Sequence, residues 1–190
     1  MFIIGITGKS GSGKTTLAKE VSKELNCEYI DIDKIGHEAT NNIEILENLC
    51  TKFGREILDE NNKLNRKKLG NLVFSSKQKM DELTEITWEY MRRKLDNILK
   101  KKQDYLVLEW TLLPKVEYWN KCNYKILVEA DANERKEKVL KRDNITDGYF
   151  NKRDSAGIDY SNIKFDYILK NDYNIKTIER LAKEIANKKT

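Results

Sequence analysis

Residues 8 to 15 read Gly8-Lys9-Ser10-Gly11-Ser12-Gly13-Lys14-Thr15. The spacing is G-x-x-x-x-G-K-[ST], the pattern of a phosphate-binding P-loop. The residue types follow from the chemistry. Glycines let successive backbone N–H groups turn toward one anion without Cβ clashes. A helix starting at the end of the loop adds the positive end of its dipole. Lys14 is expected to reach the β- and γ-phosphates of a nucleotide, and the Thr15 hydroxyl to ligate Mg²⁺. Gly8, Ser10, Gly11, Ser12, Gly13 and Thr16 complete the expected binding set. At average residue usage the bare pattern arises by chance in roughly one chain of this length in a hundred.

A second group of candidates is acidic. Asp31-Ile32-Asp33 follows a short apolar stretch and sits where a second strand would end. In parallel α/β sheets ligands lie beyond the carboxyl ends of strands. A carboxylate there can orient an acceptor hydroxyl, take its proton or hold Mg²⁺-bound water; Asp33 is favoured over Asp31. The competing reading of Asp33 is a helix N-cap. Glu109 closes Tyr105-Leu106-Val107-Leu108, either beside a metal or as a solvated strand end. Arg142, Lys152 and Arg153 could close over a triphosphate and balance transition-state charge, or simply answer a helix dipole. His37 is the single histidine and has no second His or Cys near it in sequence, so a surface or packing residue is expected there rather than a metal ligand or catalytic base. Trp88, Trp110 and Trp119 read as core or acceptor-pocket walls.

Positioning such residues needs strands that end beside one another. Phe2 to Thr7 is a continuous apolar run, as for a strand buried on both faces. Thr15 to Leu25 reads as helix, Glu28 to Asp31 as strand, and Ile43 to Lys102 as mostly helix, with turns near Gly54 and Asn61-Asn62. Tyr105 to Leu108 and Lys125 to Val128 read as strands, Ala132 to Arg142 as helix, and the charged stretch Asp147 to Asp154 as mobile. Phe165 to Leu169 is expected to be the last strand. Ile175, Ile178, Leu181, Ala182 and Ile185 stripe a closing helix. Alternating strands and helices imply a parallel sheet covered on both faces.

Composition narrows the classes. The chain has 190 residues, 39% hydrophobic and 35% charged, with the apolar residues in blocks, which argues against disorder. Lys and Arg number 36 against 31 Asp and Glu, a net +5 that suits anionic ligands but is too small to argue for nucleic acid. Cys27, Cys50 and Cys122 are three, far apart, and form no CxxC pair, which excludes a disulfide framework. The apolar runs are strand-sized, so no membrane span is expected. The N-terminus reads as a first strand rather than a signal peptide, and the expected location is the cytoplasm.

Taken in order, the motifs resemble the dephospho-CoA kinase family. The likeness rests on the P-loop, on Tyr29-Ile30-Asp31-Ile32-Asp33 and on Phe53-Gly54-Arg55-Glu56-Ile57-Leu58. It continues through Leu64-Asn65-Arg66-Lys67-Lys68-Leu69, Val73-Phe74, Leu112-Leu113, Arg142-Asp143-Asn144-Ile145-Thr146 and Asp166-Tyr167-Ile168 with Asn171. The resemblance implies transfer of the ATP γ-phosphate to the ribose 3′-hydroxyl of dephospho-CoA, in coenzyme A biosynthesis. It implies Asp33 as the base-like carboxylate, Arg142 as a lid residue on the ATP phosphates, and Arg66 on the acceptor side. The chain departs from the family pattern at Thr87-Trp88 (usually His-Pro), Thr111 (usually Pro), Lys115 (usually an acid) and Gly157 (usually Gln). All but Gly157 fall on the acceptor side.

The expected fold is α/β, a P-loop NTPase/kinase fold with a five-stranded parallel sheet flanked by helices. One domain over 1–190 is expected, with a core at about 1–40 and 104–190, a helical acceptor region at about 41–103 and a lid at about 143–158. The expected activity is an ATP- and Mg²⁺-dependent kinase acting on a small-molecule hydroxyl, with catalytic residues Lys14, Asp33 and Arg142. Another nucleoside, nucleotide or small-molecule kinase is the alternative. A GTPase-type switch is mimicked by Asp33-Lys34-Ile35-Gly36 and Asn151-Lys152-Arg153-Asp154, both badly placed for it. A polynucleotide kinase would draw on the Lys runs.

Overall fold

The computed structural model describes residues 1–189. In chain order the elements are β1 (Phe2–Thr7), α1 (Lys14–Glu24), β2 (Glu28–Asp31), α2 (Ile32–Ala39), α3 (Ile43–Phe53), α4 (Arg66–Val73) and α5 (Lys77–Leu99). Then come β3 (Tyr105–Glu109), α6 (Tyr118–Lys121), β4 (Tyr124–Glu129), α7 (Ala132–Asp143), α8 (Asp147–Ser155), β5 (Tyr167–Lys170) and α9 (Ile175–Lys189). The chain divides into two compact units. One holds Met1–Asp31, Lys102–Phe150 and residues 157–189; the other holds Ile32–Lys101 and Asn151–Ala156.

The first unit is built on a five-stranded sheet in the order β2-β3-β1-β4-β5, with every pairing parallel. Parallel neighbours need long crossovers, which the helices supply. One face packs against α1 and α9. Leu17, Ala18 and Val21 of α1 and Ile178, Leu181, Ala182 and Ile185 of α9 meet Ile4, Ile6, Val107, Ile126, Val128 and Leu169. The alternate residues Ile3, Leu106, Leu108 and Leu127 project to the other face and are buried too. Each fully buried Leu or Ile contributes about 1.5–3 kcal/mol before ordering entropy is counted. The register aligns Glu109 of β3 with Ile6 of β1 and Asp31 of β2, so three strand ends meet in one row.

The second unit is helical. Its long helix α5 buries Thr87, Met91 and Leu95, one turn apart, and packs against α2, α3 and α4. Asn42 caps α3 by accepting from Glu44 N and Ile45 N, and Asn65 caps α4 by accepting from Lys68 N. Each such cap is worth about 1 kcal/mol.

One stretch gains a structure its sequence did not suggest, and one boundary moves. Residues 147–154, read from sequence as a mobile charged stretch, lie in helix α8. Phe150 is buried and anchors it, and the Thr146 hydroxyl accepts from Tyr149 N at its start. The last strand starts at Tyr167 rather than Phe165, because Asp166 bonds Lys125 through both its N–H and its carboxylate just before the ladder begins. No helix among the described residues is long and apolar enough to cross a membrane.

Candidate active site

The P-loop joins β1 to α1, as its spacing requires. Gly13 is the N-cap of α1, with φ 92° and ψ 7°, and a Cβ there would lie 2.2 Å from Asn171 Nδ2. Gly11 has φ 82°, and a Cβ there would lie 2.8 Å from Arg135 O. Neither position accepts a side chain without strain. Ser12 Oγ is buried in the loop and has no hydrogen-bond partner among the described residues. A buried unpaired hydroxyl is costly, so an oxygen-rich ligand bonded there would relieve it.

Lys14 and Thr15 open α1 and converge on Glu109. The Lys14 ammonium lies 3.4 Å from Glu109 Oε1. The Thr15 hydroxyl donates to Glu109 Oε2 at 3.1 Å, and the Tyr29 phenol donates to the same oxygen at 2.9 Å. Glu109 is 2% exposed, so the solvated strand end is excluded; the strand register brings the carboxylate under the P-loop helix. A carboxylate buried this deeply needs polar partners, and here a cation and two hydroxyl donors supply them. The Tyr29 phenol is pushed far above its ordinary range, by burial first, then by the Glu109 and Asp31 carboxylates.

Arg142, near the end of α7, sits beside the loop. Its Nη2 is 3.5 Å from Ser10 Oγ, and its Nε donates to Asp143 Oδ1 at 2.6 Å. Thr16 is exposed on the first turn of α1. Asp31 ends β2 in register with Glu109. Asp33 is exposed in the first turn of α2, inside the helix. Arg66 opens α4 and donates from Nη2 to the carbonyl of His37, at 3.3 Å. Arg66 is therefore bonded to the helix that carries Asp33. His37 joins no cluster: among the described residues no group of three His, Cys, Asp or Glu could hold a metal.

The sequence matches the profile of the dephospho-CoA kinases over residues 2–177. The chain belongs to the dephospho-CoA kinase family. A dephospho-CoA kinase of Leptospira interrogans is 29% identical over 189 residues, covering 97% of this chain and 91% of that protein. One from Aquifex aeolicus is 34% identical over 142 residues, covering 73% and 72%. A Thermus thermophilus crystal structure has a TM-score of 0.79 at 26% identity, over 100% of this chain and 98% of that one. Membership makes this chain an ATP-dependent kinase with a P-loop nucleotide site.

Within that family frame, Tyr29 and Asn171 stood in the motifs without an assigned role, and Arg135 and Tyr173 stood in none. Tyr29 could have been found: it is two residues before Asp31, so strand alternation puts both side chains on one face. Arg135 and Tyr173 offered no comparable signal. Arg135, 4% exposed, donates from Nη1 to Ser10 O at 3.0 Å. Asn171 donates from Nδ2 to Ser12 O at 2.8 Å, and Tyr173 donates from its phenol to Gly11 O at 2.9 Å. The family departures also have a structure. Thr87 is buried and donates back to Leu83 O at 2.9 Å. Thr111 offers its backbone carbonyl to the hydroxyls of Tyr160, at 2.8 Å, and Thr7, at 3.0 Å. A cavity of about 480 Å³ lies beyond the ends of β4 and β5, lined by Lys9, Asp131, Tyr160 and Asn171 among others.

Proposed function

We propose that this chain transfers the γ-phosphoryl group of ATP to the ribose 3′-hydroxyl of dephospho-CoA, giving ADP and coenzyme A. The observation that carries the reading is the glycine loop with its orphaned Ser12 hydroxyl, set beside the Lys14–Glu109–Thr15 cluster. Family membership supports the acceptor.

In this reading Lys14 and the loop amides bind the β- and γ-phosphates, and Arg142 adds a second cation from α7. Asp33 accepts a hydrogen bond from the acceptor hydroxyl and takes its proton. The bond from phosphorus to the bridging oxygen of ADP breaks as the bond to the acceptor oxygen forms. The transition state is loose and anionic, so catalysis is mainly positioning and charge neutralisation. Arg66 holds the acceptor beside Asp33. The Thr15 hydroxyl and the Glu109 carboxylate are both hard oxygen donors, a set that suits Mg²⁺. They would hold that ion, which when bound offsets phosphate charge. The proposal includes the cytoplasm as the location and a small molecule, not nucleic acid or membrane, as the partner.

The departures at Thr87-Trp88, Thr111 and Lys115 favour one alternative, a different small hydroxyl acceptor. A screen of ADP formation from ATP and Mg²⁺ over dephospho-CoA, nucleosides, nucleotides and sugars separates the two. Turnover with dephospho-CoA at least tenfold above every other acceptor is expected. No turnover with it would overturn the acceptor assignment.

A further inference from the structure

The P-loop is held from behind as well as presented in front. Arg135 donates to the carbonyl of Ser10, Tyr173 to that of Gly11 and Asn171 to that of Ser12. Three consecutive carbonyls are thus each held by a side chain from elsewhere in the fold. A trans peptide is rigid, and its C=O and the following N–H point in opposite directions. Fixing Ser10 O and Ser12 O toward their donors aims the N–H groups of Gly11 and Gly13 to the other side of the loop. Between them, the N–H of Ser12 closes a turn on Lys9 O at 3.1 Å.

Tyr173 is the unusual member. Its φ is +59°, a left-handed backbone that a bulky aromatic residue rarely adopts. Such a conformation persists only where its surroundings over-determine it. Here they do. The Tyr173 N–H donates to Asn171 Oδ1 at 2.9 Å, the Lys138 ammonium lies 4.1 Å from the ring centroid, and the phenol reaches Gly11 O. Asn171, 5% exposed, is therefore bonded to the loop and to Tyr173 at once.

We propose that Arg135, Asn171 and Tyr173 form a carbonyl clamp that presets the P-loop for phosphate, with Tyr173 a positioning residue whose strained backbone serves that bond. The inference rests on the nucleotide reading of the loop given above. A loop already ordered loses less entropy on binding, so the clamp acts on affinity for phosphates rather than on the chemical step.

The test is calorimetric titration of the whole chain with inorganic tripolyphosphate and with ADP. Tyr173→Phe deletes one hydroxyl and keeps the ring, and Tyr173→Gly also relieves the backbone. One neutral hydrogen bond is worth about 0.5–1.5 kcal/mol, so both variants should bind tripolyphosphate and ADP roughly threefold to tenfold more weakly. In turnover assays KM for ATP should rise by a similar factor, with KM for the acceptor unchanged. A residue of purely structural value would lower melting temperature without this split. Parent-like tripolyphosphate affinity in either variant would overturn the clamp. Failure of the parent itself to bind tripolyphosphate would overturn the nucleotide reading and the clamp with it.

Discussion

Replacing Glu109 by Gln removes one charge while keeping the shape of the side chain. In the parent, Oε1 faces the Lys14 ammonium at 3.4 Å and Oε2 accepts from Thr15 and Tyr29. If the Gln oxygen keeps the two hydroxyl donors, its NH₂ must face the ammonium, donor against donor. At 3.4 Å and an effective dielectric of about 20 the lost attraction is about 5 kcal/mol gross. Desolvation of the pair offsets much of it, leaving a net loss of about 1.5–3 kcal/mol, as for other charged hydrogen bonds. For a chain of this size that lowers the melting temperature by about 3–12 °C. A second consequence has the opposite sign. Glu109 competes with phosphate for Lys14, so metal-free ATP should raise the melting temperature of Glu109→Gln more than that of the parent. Turnover with Mg²⁺ should fall roughly a hundredfold or more, because Lys14 loses its anchor and the carboxylate that would help Thr15 hold the ion is gone. Thermal melts with and without ATP, followed by a coupled assay for ADP, read all three effects. An unchanged melting temperature together with a parent-like ATP shift would refute the ion-pair reasoning.

Lys14→Ala should abolish transfer while leaving the far-ultraviolet circular dichroism unchanged; near-normal turnover would remove Lys14 from the phosphate site. Asp33→Asn should lower turnover by roughly 10²–10⁴-fold with KM for ATP within about twofold of the parent. Parent-like turnover there would shift the role to Asp31. For Tyr29 the prediction concerns pH. Its phenol is raised by burial and by the Glu109 and Asp31 carboxylates, so the unfolded chain ionises first. Its contribution to stability is complete below about pH 10 and is lost as pH rises further. Tyr29→Phe should therefore show a shallower alkaline decline in melting temperature than the parent between about pH 9.5 and 11.5, and equal slopes would refute the contact.

Sequence reading recovered the parts of the fold that rest on local pattern. Phe2–Thr7 was legible because a buried parallel strand is a short apolar run with defined ends. The P-loop was legible because its glycines and lysine have fixed spacing. Glu109 was only half legible: position at a strand end can be read, but burial depends on what lies across the sheet, here Ile6 and Asp31 in register. Residues 147–154 gave no helix signal because their charges suggested solvent, while one side chain, Phe150, is buried in the helix they form. Arg135 and Tyr173 were illegible for a stronger reason. They act through loop carbonyls, which carry no side-chain identity, and no spacing rule links them to residues 10 and 11.

The bonds from Asn171 to Ser12 and from Tyr173 to Gly11 join positions 159 and 162 apart along the chain. A polypeptide emerging from the ribosome makes the glycine loop almost at once, yet cannot brace Gly11 and Ser12 until β5 and the residues after it have been synthesised and docked. On the clamp proposal, full affinity for ATP is thus acquired late in synthesis, after the sheet has closed. A truncated product ending before Asn171 would carry the whole signature motif with Arg135 alone as its rear support.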